Sequence, residues 1–184
     1  MTTAALTGDY TLDIARTRIG FVARHTIGPK VRGRFEEFEG SAHLDGDDPS
    51  KSNVELTIQA GSIQTRNPQR DEMLRGRFLN LAAHTTITFV STAARQTGAT
   101  AFEVTGDLTI RGVTRPVTVA LERIGAEHDP QGGVRVRFTG GTTINRKDWG
   151  VASIAAAGLV GKKVVLEFDV AAVRRTPPPP RPPT

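Results

Sequence analysis

The sequence predicts a mainly all-β chain, folded as an antiparallel β-barrel of about eight strands with one short helix inserted. Three observations lead there. Apolar and polar residues alternate with period two along most of the 184 residues, the signature of strands with one buried face. A single stretch carries the chemistry that starts a helix. The segments around residues 31–45, 101–111 and 115–124 run for about ten residues or more, long enough to tilt and coil around an axis, which suits a barrel better than a two-sheet sandwich.

Tyr10, Leu12 and Ile14 open the alternation, and Ile19, Phe21 and Ala23 continue it with Arg18 and Arg24 opposite. Val31, Gly33 and Phe35 share a face; the apolar set then moves to Phe38, Gly40, Ala42 and Leu44, so parity slips at Glu36–Glu37. A bulge or bend there would restore it. "DGDDPS", Asp45 to Ser50, begins like a calcium loop but lacks the glycine and the terminal glutamate in register, and reads as a turn. Val54, Leu56, Ile58 and Ala60 form the next strand. In "NPQRDEMLRGRFL", Asn67 is the N-cap and Pro68 the first helical residue of a short helix reaching Gly76. Strands follow at Ile87 and Phe89, from Phe102 to Ile110, from Val117 to Leu121, from Val134 to Phe138, and from Val164 to Val170. A small alanine-rich turn is expected over Ser153–Leu159.

These elements give a flexible N-terminus at residues 1–7, one barrel domain at 8–175, and a disordered proline-rich tail at 176–184. The tail, "PPPPRPPT" after Thr176, cannot join a ladder because proline lacks the backbone donor.

Composition excludes several function classes. There is no cysteine, so thiol chemistry and thiolate metal sites are ruled out. The net charge is +5, but three of the arginines, Arg174, Arg175 and Arg181, lie in the last eleven residues; the rest is nearly neutral and its cations are scattered, unlike a nucleic-acid surface. Nothing resembles a signal peptide, and no segment approaches the roughly 20 apolar residues of a membrane span, so the expectation is a cytoplasmic protein without stable membrane insertion. His25, His43, His84 and His128 are dispersed in no ligand spacing, and no metal site is expected. GxSxG, P-loop, GxGxxG and HExxH motifs are absent, and Tyr10, the only tyrosine, sits at the edge of the fold. The expectation is therefore a non-catalytic protein with no catalytic cofactor.

Strand parity turns Phe21, Phe35, Phe38, Leu56, Ile58, Phe89, Phe102, Val104, Leu108, Ile110, Val119, Val136, Phe138 and Phe168 inward. Such an interior is either close-packed or a greasy tunnel. Pattern alone favours packing, since every soluble barrel needs an apolar inside.

Four segments, "YTLDIARTRIGFVARH", "SIQTRNPQRDEMLRGRFLNLAAHTTITF", "VTGDLTIRGVTRPVTV" and "INRKDWGV", occur in that order, and together they resemble the YceI-like family over about residues 8–173. The resemblance implies an extended, lipocalin-like barrel that holds a long apolar molecule, a polyisoprenoid or a fatty-acid-like lipid, with no established catalytic set. It also implies a possible homodimer. Met73 stands where the family often has histidine and suits an apolar tunnel wall. Arg70, Asp71, Arg146 and Asp148 are the matched polar positions. Arg70 and Arg146 are candidates for a polar mouth that meets an anionic head; the competing reading is an ion pair or cap that ties helix and loop to the barrel. Trp149 is expected to plug or pack one end. The function so implied is binding, sequestration or transport of a long-chain lipid. The alternatives are a filled barrel acting as an interaction module through its tail, and a lipocalin-like isomerase or cyclase.

Overall fold

The computed structural model of the chain describes residues 3–23, 30–130, 132–151 and 161–175. Arg24, His25, the alanine-rich turn and the proline tail lie outside the described residues. The strands are β1 (Gly8–Leu12), β2 (Arg18–Ala23), β3 (Val31–Phe35), β4 (Phe38–Leu44), β5 (Asn53–Gln59), β6 (Ile63–Gln64), β7 (Thr86–Gln96), β8 (Ala101–Ile110), β9 (Val113–His128), β10 (Val134–Asn145) and β11 (Lys163–Arg174). The helix, α1, spans Pro68–Met73, capped by the Asn67 side chain, which accepts from the Arg70 amide. It widens into a π-helical turn over Leu74–Phe78, where the Leu79 amide donates to the Leu74 carbonyl at 2.8 Å.

Strands β1, β4, β5, β7, β8, β9, β10 and β11 pair in that order, and β11 returns to β1 through Thr11–Val173 and Leu12–Ala172. This is a closed antiparallel barrel of eight strands. Closure removes the free edges that an open sheet would expose. The remaining strands, β2, β3 and β6, form a flap beside it, because β11 has two partners. Its residues Val164–Asp169 pair with β2, and Ala172 and Val173 pair with β1. At the changeover the Thr17 hydroxyl accepts from the Ala171 amide (3.1 Å) and donates to the Ala171 carbonyl (3.2 Å). A side chain thus completes the ladder where no strand does.

The parity slip at Glu36–Glu37 is neither a bulge nor a bend within one strand. It is a corner between β3 and β4, which have different partners: β3 joins β2 and β6, and β4 joins β1 and β5. The Glu36 amide donates to Ser62 O and the Gln59 amide to Glu37 O, so the facing chain turns the same corner. The bulges lie elsewhere. Thr92 is extra in β7 between the pairs Ser91–Gly106 and Ala93–Thr105, and Ile124 is extra in β9 between Arg137–Gly125 and Phe138–Arg123. Strand β10 also runs past Phe138, through Gly140 and Gly141, to Asn145. A Cβ on Gly140 would lie 2.0 Å from the Ala120 carbonyl oxygen, so the two backbones approach as only glycine permits.

Strands β8 and β9 meet at Arg111–Gly112, with φ of 53° and 74°, the signs of a type I′ hairpin turn. Apolar packing concentrates at the two ends of the barrel. The larger cluster includes Ile19, Ile58, Leu74, Ile87 and Trp149; the smaller joins Leu6, Tyr10, Val134, Val136 and Ala172. Leu6, placed in the N-terminal segment by the sequence, is 4% exposed, and its carbonyl accepts from the Tyr10 hydroxyl at 2.7 Å.

Candidate functional site: a hollow apolar lumen

The barrel is hollow. A cavity of about 290 Å³ runs from Leu6, Tyr10 and Leu44 at one end to Leu74, Phe78 and Trp149 at the other. Thirteen of the fifteen apolar positions expected to line a tunnel border it; Phe38 and Met73 do not. Phe35, Leu56, Phe89, Phe102, Phe138 and Phe168 point inward yet are only half-buried. Their open faces look into the lumen, whereas a packed core would cover them.

Two glycines keep the rings out of the middle. A Cβ on Gly33 would lie 2.4 Å from Cζ of Phe21, and one on Gly106 would lie 2.5 Å from Cζ of Phe89. Each ring occupies the space that a side chain on the neighbouring strand would have taken, so it lies along the wall.

Phe38 and Met73 pack against the apolar cluster from outside the lumen. Phe38 is the first residue of β4, at the corner. Met73 precedes Leu74, which is fully buried and borders the cavity; successive residues of a helix point about 100° apart, so only one of the pair faces the barrel.

The segments quoted from the sequence assemble the helix end. Asp71, 3% exposed, accepts from the Thr65 amide at 2.9 Å and from the Thr65 hydroxyl. Arg70 donates through Nε to the Thr65 hydroxyl and through Nη2 to the Thr65 carbonyl, both at 2.8 Å. Arg75 donates to the Gly61 and Ile63 carbonyls. The helix is thereby strapped to the chain between β5 and α1. On the other side, Trp149 is buried and donates its indole N–H to the Leu108 carbonyl at 2.9 Å. Arg111 and Arg115 of the β8–β9 hairpin reach the Gly150 and Asp148 carbonyls.

Of the two readings of Arg70 and Arg146, polar mouth or tie to the barrel, their hydrogen bonds match the tie. Arg70 does not border the cavity, and its guanidinium is committed to Thr65. Arg146 borders it but is 4% exposed, with Nε donating to Gly161 O (2.8 Å) and Nη1 to Val151 O (2.7 Å). Both arginines hold chain segments in place, since a carbonyl within reach satisfies a buried guanidinium.

The cation that the sequence reading missed is Arg123, half-buried beside the lumen at the opposite end. It pairs across from Phe138 and so shares that inward face. A signal existed: 123 continues the parity of Val117, Val119 and Leu121. Asp45 also borders the cavity at that end, with its Oδ1 turned back to the Asp47 and Asp48 amides at 3.0 and 2.8 Å. The Asp48 amide foremost holds its carboxyl below the ordinary carboxylate range, against a smaller opposing effect of burial. Burial pushes the Tyr10 hydroxyl up, partly countered by Arg174, whose guanidinium carbon lies 5.9 Å from the ring centre. His43 makes a 2.7 Å contact with Asp9, and His84 packs on Gly112. Among the described residues no three histidine, cysteine or acidic side chains gather as metal ligands would.

Fold and lumen together define a hollow eight-stranded β-barrel protein with an apolar interior and few polar groups facing it. The chain belongs to the YceI-like domain family, which matches residues 10–172. A UPF0312 protein of Pseudomonas aeruginosa (strain LESB58) is 37% identical over 174 residues, covering 93% of this chain and 90% of its own. A UPF0312 protein of Azotobacter vinelandii is 35% identical with the same coverage. Burkholderia cenocepacia BcnA has the same fold, with a TM-score of 0.76 at 22% identity over 88% of this chain and 99% of its own. So does a polyisoprenoid binding domain from Saccharophagus degradans implicated in plant cell wall breakdown, with a TM-score of 0.66 at 15% identity over 89% of this chain and 97% of its own.

Proposed function

We propose that this protein binds one long-chain apolar lipid, isoprenoid or acyl, inside the barrel, and sequesters or carries it without covalent chemistry. The observation that carries the reading is the hollow lumen with half-buried phenylalanines facing into it. Aromatic and aliphatic faces left open to a cavity gain by covering with hydrocarbon, at roughly 0.8 kcal/mol for each methylene buried. The Saccharophagus degradans domain, described as polyisoprenoid binding, supports the same ligand class through a shared fold. Selectivity for chain length then follows from the depth of the lumen.

Native mass spectrometry of freshly purified protein, followed by solvent extraction, tests the reading. The expected result is one isoprenoid or acyl lipid per barrel. A clean apo mass, with no uptake from a mixed lipid extract, would overturn it and favour an interaction module.

A further inference from the structure

We infer that Arg123 is a head-group site: it receives the carboxylate or phosphate of an anionic amphiphile whose chain runs from there toward Trp149. The inference rests on the lipid-binding reading and deepens it. Three observations carry it. Arg123 borders the lumen and stands on the inward face, opposite Phe138. The bulge at Ile124 comes directly after it, so Arg123 is the last residue of the inward series that begins at Val117, and the inward parity of β9 resumes at Ala126, opposite Val136. Among the described residues its side chain makes no hydrogen bond or ion pair, unlike Arg70 and Arg146.

The other charges bordering the cavity do not compete for that role. Arg146 lies at the far end and is held by two carbonyls. Asp45 accepts from its own loop amides. Glu55 is exposed, on the outward parity of β5 between Val54 and Leu56. Among the described residues, a mainly apolar cavity is thus left with one available cation at one end, the arrangement that fixes the orientation of an amphiphile. A guanidinium presents paired N–H donors suited to carboxylate and phosphate alike.

The test compares three probes of equal chain length, hexadecanoate, hexadecyl phosphate and the neutral hexadecanamide, on delipidated protein by competition against a fluorescent lipid. The wild type is expected to bind one or both anions about tenfold more tightly than the amide, the gain of a charge-assisted hydrogen bond. Which anion gains distinguishes a fatty-acid head from a phosphate head. In Arg123→Gln the preference of anion over amide should vanish; Arg123→Lys should retain most of it. An anion preference that survives Arg123→Gln, or no preference in the wild type, would overturn the head-group site and leave the lipid-binding reading standing. Failure of all three probes to bind would overturn both.

Discussion

Tyr10 shows what a single residue contributes at the lumen's edge. It is 1% exposed, and its hydroxyl donates to Leu6. Burial raises its pKa above the ordinary value of about 10. The unfolded chain therefore ionises this group first as pH climbs, so the stabilisation is complete below about pH 10 and is lost as pH rises from there through the folded pKa. Because it is the only tyrosine, tyrosinate absorbance reports it without assignment. The expected midpoint in the folded protein lies above that in urea, and Tyr10→Phe should remove this part of the alkaline loss of stability. Equal midpoints would contradict the burial argument. Single residues were unevenly legible beforehand. Asn67, Asp71 and Trp149 belonged to spaced motifs and proved to be cap, strap and end-packing group. Arg123 was hidden by its charge, which made the apolar strand seem finished at Leu121.

At the scale of the element, alternation reveals which face a residue takes but not which strand lies beside it. That is why the inward positions of β5, β8 and β11 can be read from the chain, while the corner at Glu36–Glu37 reads as a bulge or bend and the shared pairing of β11 is invisible. The second half of β10 was equally obscure, since Gly140, Gly141 and the threonines after them carry no apolar alternation. The changeover on β11 makes Thr17 a structural residue. Thr17→Val keeps the shape but leaves the Ala171 amide without its hydroxyl acceptor, while the carbonyl keeps the Asp13 amide at 2.8 Å. The expected cost is about 1–3 kcal/mol, read by urea unfolding, with faster hydrogen exchange at the Ala171 amide. Thr17→Ser should recover most of it. Unchanged stability and exchange in the valine variant would mean that the hydroxyl does not complete the ladder.

For the whole molecule, the sequence could not decide between a filled barrel and an empty one, because the same inward alternation describes both. The difference lies in where rings sit, and that depends on contacts between strands distant in the chain. Val104, 7% exposed, borders the lumen on β8. Val104→Trp should place an indole in the open space, abolish lipid uptake, and shift Tm by no more than about 4 °C. Full uptake by a folded Val104→Trp variant would show that the ligand does not use this stretch. The glycines beneath Phe21 and Phe89 give the barrel an adjustable calibre. A single methyl group at Gly33 would meet the Phe21 ring at 2.4 Å and the Thr65 methyl at 2.9 Å, and would press that ring off its bed toward the bore like a stopcock; at Gly106 the Val90 carbonyl oxygen, 2.6 Å away, would force the strand to shift as well. Gauge is thus separable from scaffold at Gly33, where the close neighbours are all side chains: one small substitution there should exclude branched chains and still admit slender ones.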